Sequence, residues 1–271
     1  MPVPDAITAS QLSRLIGTPD CPLIVDVRTD EDVAADPRFL PTSVHRDYRT
    51  VASWAGEYAA RSVVVTCLRG GKLAQGTAAW LRHAGARAEF LEGGFEGWVE
   101  AHGIVVSPAR LPPRDALGRT LWVTRVRPKI DRIACPWLVR RFVDRDAVFL
   151  FVAPAEVLEA AERFRATPFD LEDIFWSHRG NACTFDTMID EFGLRSEALS
   201  RLAVIVRAAD TNHLELAPQA AGLLAASLGL SRMYRDDLAQ LDASMSLYDA
   251  FYRWCRDATK EEHNWTPGER T

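Results

Sequence analysis

The chain has 271 residues, of which 48% are hydrophobic and 25% are charged, so it is not a largely disordered protein and its length predicts about two globular domains. The net charge of −5 argues against a surface devoted to nucleic acid. No run reaches the roughly 18 apolar residues of a membrane helix and the start shows no signal-peptide pattern, so we expect a cytoplasmic protein without a membrane partner.

Residues 1–106 alternate short apolar runs with helical patterns. Strands are predicted at 23–27, 63–66 and 88–91, and a helix at 73–84 that stops at Gly85. This alternation predicts an α/β domain with a parallel sheet and flanking helices, whose working residues lie at the carboxyl ends of the strands.

Residues 107–118 contain three prolines, at positions 108, 112 and 113, which predicts a stiff linker between two domains. The second domain is placed at 119–258, followed by a polar tail at 259–271. Its strands are predicted at 121–124 and 148–152, and its helices at 134–143, 197–210, 220–228 and 235–256. This pattern predicts a mainly helical α(+β) domain, in which the uniformly apolar segment 220–228 is expected to be central.

The helix at 235–256 places Leu238, Met245, Tyr248 and Tyr252 on one face. Such a face packs either in the core of the chain itself or against a second copy of the chain. The sequence leaves both interpretations open, so a homodimer remains a candidate assembly.

Five cysteines are widely spaced and form no C-x-x-C pair, which excludes a zinc ribbon and a thioredoxin motif and predicts free thiols. Cys67 differs from the others because it ends a β-branched run and precedes Leu68, Arg69, Gly70, Gly71 and Lys72. Glycines in such a loop let successive backbone N–H groups form an anion-binding nest, and the following helix N-terminus adds positive potential. Together with the two cations, these features predict a nucleophilic Cys67 in a loop that binds an oxyanion.

Several motifs of this half resemble those of rhodanese domains, over residues 6–105. They are L-I-V-D-V-R at 23–28, L-P-T-S-V-H at 40–45, the six-residue loop 67–72 and G-G-F-E-G-W at 93–98. The resemblance implies that Cys67 takes sulfur from a small anionic donor such as thiosulfate, holds it as a persulfide and passes it to a thiol or to cyanide, with no cofactor. It also implies that Asp26 and Arg28 are structural or shape the pocket. The alternative is a non-catalytic rhodanese domain used for sensing or docking.

Segment 125–141 is locally basic: its six cations, at positions 125, 127, 129, 132, 140 and 141, face one acid, Asp131. This charge indicates an anionic ligand, a nucleic-acid contact or an acidic partner, or else a basic face that forms ion pairs within the protein. Candidate pocket residues of this half are Arg127, Asp131, Arg132, Cys135, Cys183 and Asp186.

His178, Asp210 and His213 are metal-ligand types, although their spacing matches no standard local motif. We expect His178 and Asp210, with one of Asp131, Cys183 or His213, to line a pocket for a divalent metal or an oxyanion. The alternative is ordinary capping and turn chemistry by these side chains.

Residues 120–257 resemble the C-terminal domain of ChrB-type chromate-resistance proteins. The matching segments include W-V-T-R-x-R-P-K-I-D-R-I-A-C-P-W at 122–137, H-x-G-x-x-C-T-F-D at 178–186 and I-V-R-A-A-D-T at 205–211. The resemblance implies a link to chromate, a tetrahedral dianion similar to thiosulfate in charge. Three functions follow: a sulfurtransferase associated with chromate resistance, an oxyanion-responsive regulator, or a metal-dependent activity of the C-terminal domain.

Overall fold

The first half of the chain forms an α/β domain around an entirely parallel five-stranded sheet of order β1-β5-β4-β2-β3. The structure is a computed structural model, and it describes residues 5–261. The strands are β1 (Ala6–Ile7), β2 (Leu23–Asp26), β3 (Val44–His45), β4 (Ser62–Thr66) and β5 (Arg87–Leu91). The helices are α1 (Ala9–Leu15), α2 (Asp30–Ala35), α3 (Val51–Trp54), α4 (Lys72–His83) and α5 (Gly94–Glu100), with single 3₁₀ turns at Tyr48–Thr50 and Ala55–Tyr58.

Strand β4 lies in the middle of this sheet because its three valines are buried on both faces. Val64 belongs to one apolar core, whereas Val63 and Val65 belong to a second core on the opposite face. A strand that is apolar on both faces is typical of a parallel sheet covered by helices. The fold class predicted for this half is therefore confirmed.

The second half is mainly helical, as predicted, and its strands form a small parallel sheet of order β7-β6-β8. Its strands are β6 (Leu121–Arg125), β7 (Val148–Val152) and β8 (Thr167–Pro168). Its helices are α6 (Asp131–Leu138), α7 (Val157–Phe164), α8 (Thr184–Phe192), α9 (Glu197–Asp210), α10 (Ala220–Met233) and α11 (Asp237–Arg253). Single 3₁₀ turns occur at Pro108–Arg110, Pro154–Glu156 and Leu214–Leu216, and π-helical turns at Val139–Val143 and Trp254–Ala258.

The prediction that segment 220–228 is central was wrong. Helix α10 buries one stripe of four residues, Ala220, Leu223, Ser227 and Ser231, while Leu228 and Met233 are exposed. Much of the apolar character of this segment comes from alanine and glycine, which tolerate exposure better than large side chains do. A one-sided helix at the surface therefore satisfies the sequence.

Helix α6 also differs from its prediction, because it begins at Asp131 rather than at residue 134. The Asp131 side chain contributes to tertiary contacts that local periodicity does not reveal.

The aromatic side of α11 packs inside the chain: Tyr248 and Tyr252 are buried, and the Tyr248 hydroxyl donates to Ile130 O at 2.9 Å. Leu238, expected on the same face, is exposed. The stripe thus gives no support to the homodimer interpretation.

The two halves share a continuous apolar core. A Cβ on Gly17 would lie 2.5 Å from the Phe142 ring and 2.7 Å from the Tyr252 ring, so these aromatic rings pack directly on the N-terminal domain. Thr42 N donates to Phe142 O at 3.1 Å. The predicted linker also packs, since Ser107 N donates to Phe192 O at 2.8 Å. No helix within residues 5–261 combines the length and apolar character needed to cross a membrane.

We expect Arg145→Ala to destabilise the protein by about 1–3 kcal/mol, because Arg145 joins the two halves by donating to Cys21 O at 2.7 Å and Pro22 O at 3.1 Å. Urea unfolding measures this loss. Arg163→Ala, at an exposed position of α7, is the matched control and should change the free energy of unfolding by less than about 0.5 kcal/mol. Equal effects of the two substitutions would contradict the proposed contribution of Arg145 to the interface.

Candidate functional site

Cys67 lies at the carboxyl end of the central strand β4. Cys67 is only 5% exposed. It borders a shallow cavity of about 320 Å³, which is lined by Leu68, Arg69, Gly71, Lys72, Leu73 and Asp32. This is the edge of a parallel sheet at which ligands bind. A small solute therefore has room beside the thiol.

The loop after Cys67 presents free backbone donors. Within residues 5–261, none of the N–H groups of residues 68–72 donates to a protein acceptor. Gly70 has φ +64°, a left-handed conformation of the kind that turns successive N–H groups toward one point. The 12-residue helix α4 begins directly afterwards, so its N-terminus points to the same place. The loop thus offers several backbone donors and a helix N-terminus to one point beside Cys67.

The loop conformation depends on close contact with the start of α5. Phe95 N donates to Cys67 O and Glu96 N donates to Leu68 O, both at 2.9 Å. Gly94 has φ +59°, and a Cβ there would lie 2.3 Å from both Cys67 O and Gly70 N. The G-G-F-E-G-W motif therefore supports the loop through backbone approach that side chains would prevent.

The charges around Cys67 differ from the expected pair of cations. Arg69 is paired with Glu96 at 2.9 Å, and its side chain is 78% exposed. The cavity wall includes Asp32, whose carboxylate caps α2. Lys72 forms no ion pair within residues 5–261. The positive potential at this loop consequently comes from backbone N–H groups and Lys72 more than from Arg69.

Asp26 and Arg28 have a structural role. Arg28 Nε donates to Asp26 Oδ2 at 2.8 Å, and the other guanidinium nitrogens donate to Asp36 O and Arg38 O, each at 2.8 Å. The guanidinium also lies 3.9 Å from the centre of the Phe95 ring. Both side chains are buried, so this pair ties β2, the segment after α2 and α5 together beneath the Cys67 loop.

The C-terminal domain brings a second group of titratable side chains together. His178 Nε2 lies 3.4 Å from Asp131 Oδ2, 3.4 Å from Asp170 Oδ1 and 3.3 Å from Asp210 Oδ2. Asp131 begins α6, Asp210 ends α9, Asp170 follows β8 and His178 precedes α8. We call these four residues the Asp–His cluster. The histidine is partly exposed, whereas Asp131 is fully buried.

Contacts and burial within the cluster shift the pKa values of its members. The facing carboxylates, Asp131 first and then Asp170 and Asp210, raise the pKa of His178 to about 12. Burial raises the pKa of Asp131 to about 6, partly offset by contact with His178. Perturbed groups in a tight cluster are typical of functional sites, although structural ion pairs give the same signature.

The carboxylates are held in place by hydrogen bonds. Asp131 Oδ2 accepts from Thr184 N at 2.7 Å, and Asp170 Oδ1 accepts from Thr184 Oγ1 at 3.1 Å. The other Asp170 oxygen faces Arg125 at 3.0 Å and Arg132 at 3.3 Å. These contacts fix the two oxygens that point toward His178.

The two cysteines predicted near this pocket are buried. Cys135 Sγ lies 4.0 Å from Asp131 Oδ1, and Cys183 is the residue before α8. Burial, followed by the charge of Asp131, raises the pKa of both thiols. Neither side chain is exposed, so they line the inner side of the cluster.

Three other candidate residues do not join the cluster. His213 lies beyond the end of α9, is largely exposed and contacts Glu215 at 3.1 Å; Asn212, with φ +58°, turns the chain away from the helix axis. Asp186 pairs with Arg207 at 2.9 Å. Arg127 donates to Tyr234 O at 2.9 Å, on the α10–α11 connection.

The basic segment is largely neutralised within the protein. Its arginines at positions 125 and 132 pair with Asp170, while those at positions 140 and 141 pair with Asp242 and Asp249. The ion-pair interpretation is therefore the one the structure supports. The partners are 38 to 108 residues away in the sequence, so local charge counting does not find them.

Asp170 is the cluster member that the sequence analysis missed. It follows a two-residue strand, β8, which is too short to give a periodic pattern. Its φ of +56° is a conformation in which Asp is several-fold enriched, although the sequence gives no sign of it.

Both halves match known families. The family model for the ChrB C-terminal domain matches residues 122–255, and that for the rhodanese-like domain matches residues 8–101. Protein ChrB of Cupriavidus metallidurans is 31% identical over 154 residues, which are 56% of this chain and 46% of that protein. The chain thus spans less than half the length of this curated relative.

Solved structures resemble the first half. A rhodanese-like domain protein from Staphylococcus aureus is 25% identical, with 35% of this chain and 90% of that chain covered and a TM-score of 0.32. A thiosulfate sulfurtransferase from Pseudomonas aeruginosa is 21% identical, with 41% of this chain and 21% of that chain covered and a TM-score of 0.33.

Proposed function

Since the chain joins a rhodanese-like domain to a ChrB C-terminal domain, we propose that it is a sulfurtransferase that holds sulfur as a persulfide on Cys67. The observation on which this proposal rests is the loop of residues 68–72, whose backbone N–H groups have no protein acceptor within residues 5–261. Unsatisfied donors next to a nucleophile stabilise negative charge that develops there. A persulfide anion and the sulfonate end of thiosulfate both present such charge.

In the first step, the Cys67 thiolate attacks the outer sulfur of thiosulfate. A new S–S bond forms at Cys67 as the S–S bond of thiosulfate breaks, and sulfite leaves with the bonding electron pair. The loop N–H groups and Lys72 bind the donor anion, and afterwards the N–H groups hold the charged terminal sulfur. In the second step, a thiolate or cyanide attacks that sulfur and the Cys67 thiolate is released.

We propose further that this activity is associated with chromate resistance. The ChrB C-terminal domain supports this link, and chromate resembles thiosulfate as a tetrahedral dianion. Chromate is therefore expected to compete with thiosulfate for the donors of residues 68–72. A decrease in persulfide formation as chromate is added, under conditions where Cys67 is not oxidised, measures this competition.

We expect thiosulfate to add one sulfur atom to the intact protein and Cys67→Ser to abolish the adduct, because a hydroxyl is far less nucleophilic than a thiolate. Intact-mass spectrometry under non-reducing conditions measures the adduct. Cys21→Ser, at another buried cysteine of the same domain, is the matched control and should retain it.

Two results would contradict the sulfurtransferase. One is a wild-type protein that gives no adduct with thiosulfate or with organic persulfides. The other is an adduct that survives in Cys67→Ser. Either result would favour a rhodanese domain that binds an oxyanion or a partner without turnover.

A further inference from the structure

We propose that Asp131, Asp170 and His178 bind a zinc ion, with Asp210 as a third carboxylate beside it. One potential ligand atom from each of the first three residues lies within 4.8 Å of the others. An imidazole nitrogen with carboxylate oxygens is a donor set that suits zinc. This site lies in the C-terminal domain and is independent of the sulfur chemistry proposed for Cys67.

The contact distances are unlike those of hydrogen bonds. Nε2 of His178 is 3.3–3.4 Å from three carboxylate oxygens, whereas an N–H···O bond is usually about 2.7–3.2 Å long. One ring nitrogen also has one proton to donate and cannot serve three acceptors at once. Nε2 therefore points into the space between the oxygens and not at any one of them.

The three distances from Nε2 are close to the edge length of a tetrahedral zinc site. Ligand bonds of about 2.0–2.1 Å in a tetrahedron separate neighbouring ligand atoms by roughly 3.4 Å. An octahedral magnesium site with bonds of about 2.0–2.1 Å has shorter edges of roughly 3 Å, and magnesium prefers oxygen ligands and water to imidazole. These three distances and the imidazole nitrogen thus favour zinc over magnesium.

The surroundings supply what metal ligands usually require. Thr184 donates to both of the oxygens that face His178, from its backbone N to Asp131 and from its hydroxyl to Asp170. Such outer contacts fix the orientation of ligating carboxylates. Because two helices, α6 and α9, and the connection between β8 and α8 contribute the residues, the arrangement depends on tertiary structure and is not a local acidic run.

Charge also favours a cation at this position. Arg125 and Arg132 balance Asp170 through the oxygen that points away from His178. Asp131 is buried, and its oxygens meet backbone and thiol donors in addition to His178. Asp210 has no contact with a cationic side chain other than His178 within residues 5–261. Since the His178 side chain is 40% exposed, the cluster can be reached from solvent.

The test is zinc binding to the full chain after chelator treatment. We expect about one zinc ion per chain by elemental analysis after dialysis, and a zinc affinity in calorimetric titration that is far higher than the magnesium affinity. His178→Ala should weaken zinc binding by at least about tenfold, since loss of even an outer-sphere partner has an effect of about 10–100-fold. Zinc should raise the thermal midpoint of the wild type, and this rise should disappear in His178→Ala.

His213→Ala is the matched control, because His213 is exposed and lies outside the cluster. Asp170→Asn tests a second ligand, and its circular dichroism without zinc separates lost binding from lost folding. The proposal is overturned if the wild type binds no zinc, or if folded His178→Ala retains wild-type affinity. It is equally overturned if zinc is lost only on substitution of cysteines, which would place the ion elsewhere.

Discussion

Gly94→Ala is expected to reduce persulfide formation on Cys67 by about 100-fold or more. A Cβ at this position would lie 2.3 Å from Cys67 O and from Gly70 N, and the residue has φ +59°. Both contacts are with backbone atoms, so the loop must move as a whole, and misplacement of a reacting group by about 1 Å costs a rate factor of about 100. The strained φ adds about 1–2 kcal/mol of destabilisation.

Single-turnover measurement of the Cys67 adduct with thiosulfate, together with urea unfolding, tests this expectation. Gly76→Ala is the matched control: Gly76 lies at an exposed position of helix α4, and a Cβ there meets nothing within 4 Å. It should preserve the rate and stabilise the helix by about 0.5–1 kcal/mol. A Gly94→Ala protein with the wild-type rate would show that the loop does not depend on this close approach.

Arg28→Met should destabilise the protein by about 3–5 kcal/mol, because it leaves the Asp26 carboxylate buried without its cation. It also removes the donors to Asp36 O and Arg38 O. Denaturant unfolding of the full chain measures the loss. The double variant Asp26→Asn with Arg28→Met should recover part of it, since the uncompensated charge is gone.

Arg49→Met is the control for the second prediction. Arg49 pairs with Asp47 at 2.9 Å, but its side chain is 66% exposed, and exposed ion pairs add little to stability because water screens them. Its loss should therefore be small. A loss for Arg28→Met as small as that for Arg49→Met would show that the buried pair is not what stabilises this corner of the sheet.

Much of the N-terminal domain was predictable because its signals are local. The valines of β4 predict a strand buried on both faces, and the glycines after Cys67 predict a tight turn before a helix. Strand, turn and helix are adjacent in sequence, so the position of Cys67 at the sheet edge follows from chain order. The backbone conformation of Thr42 could not be predicted in this way, since its φ of +56° is one that a β-branched residue rarely adopts.

The Asp–His cluster was only partly predictable. His178, Asp210 and Asp131 were named among the candidates, but so was His213, and Asp170 was not. Residues from α6, α9 and the connection between β8 and α8 meet there, and their sequence separations contain no repeating pattern. The chirality and packing of α6, α8 and α9 decide which side chains face one another, and that information exists only in the folded chain.

The sequence by itself determined the fold classes of the two halves and the position of Cys67 at the end of a strand, because periodicity and turn chemistry act over a few neighbouring residues. Only the tertiary structure decided which charged side chains pair with one another and which of them are buried. It paired Arg69 with Glu96, buried Arg28 against Asp26 and brought three carboxylates to His178. Electrostatic interactions depend on distance in space and on burial, and neither can be read from distance along the chain.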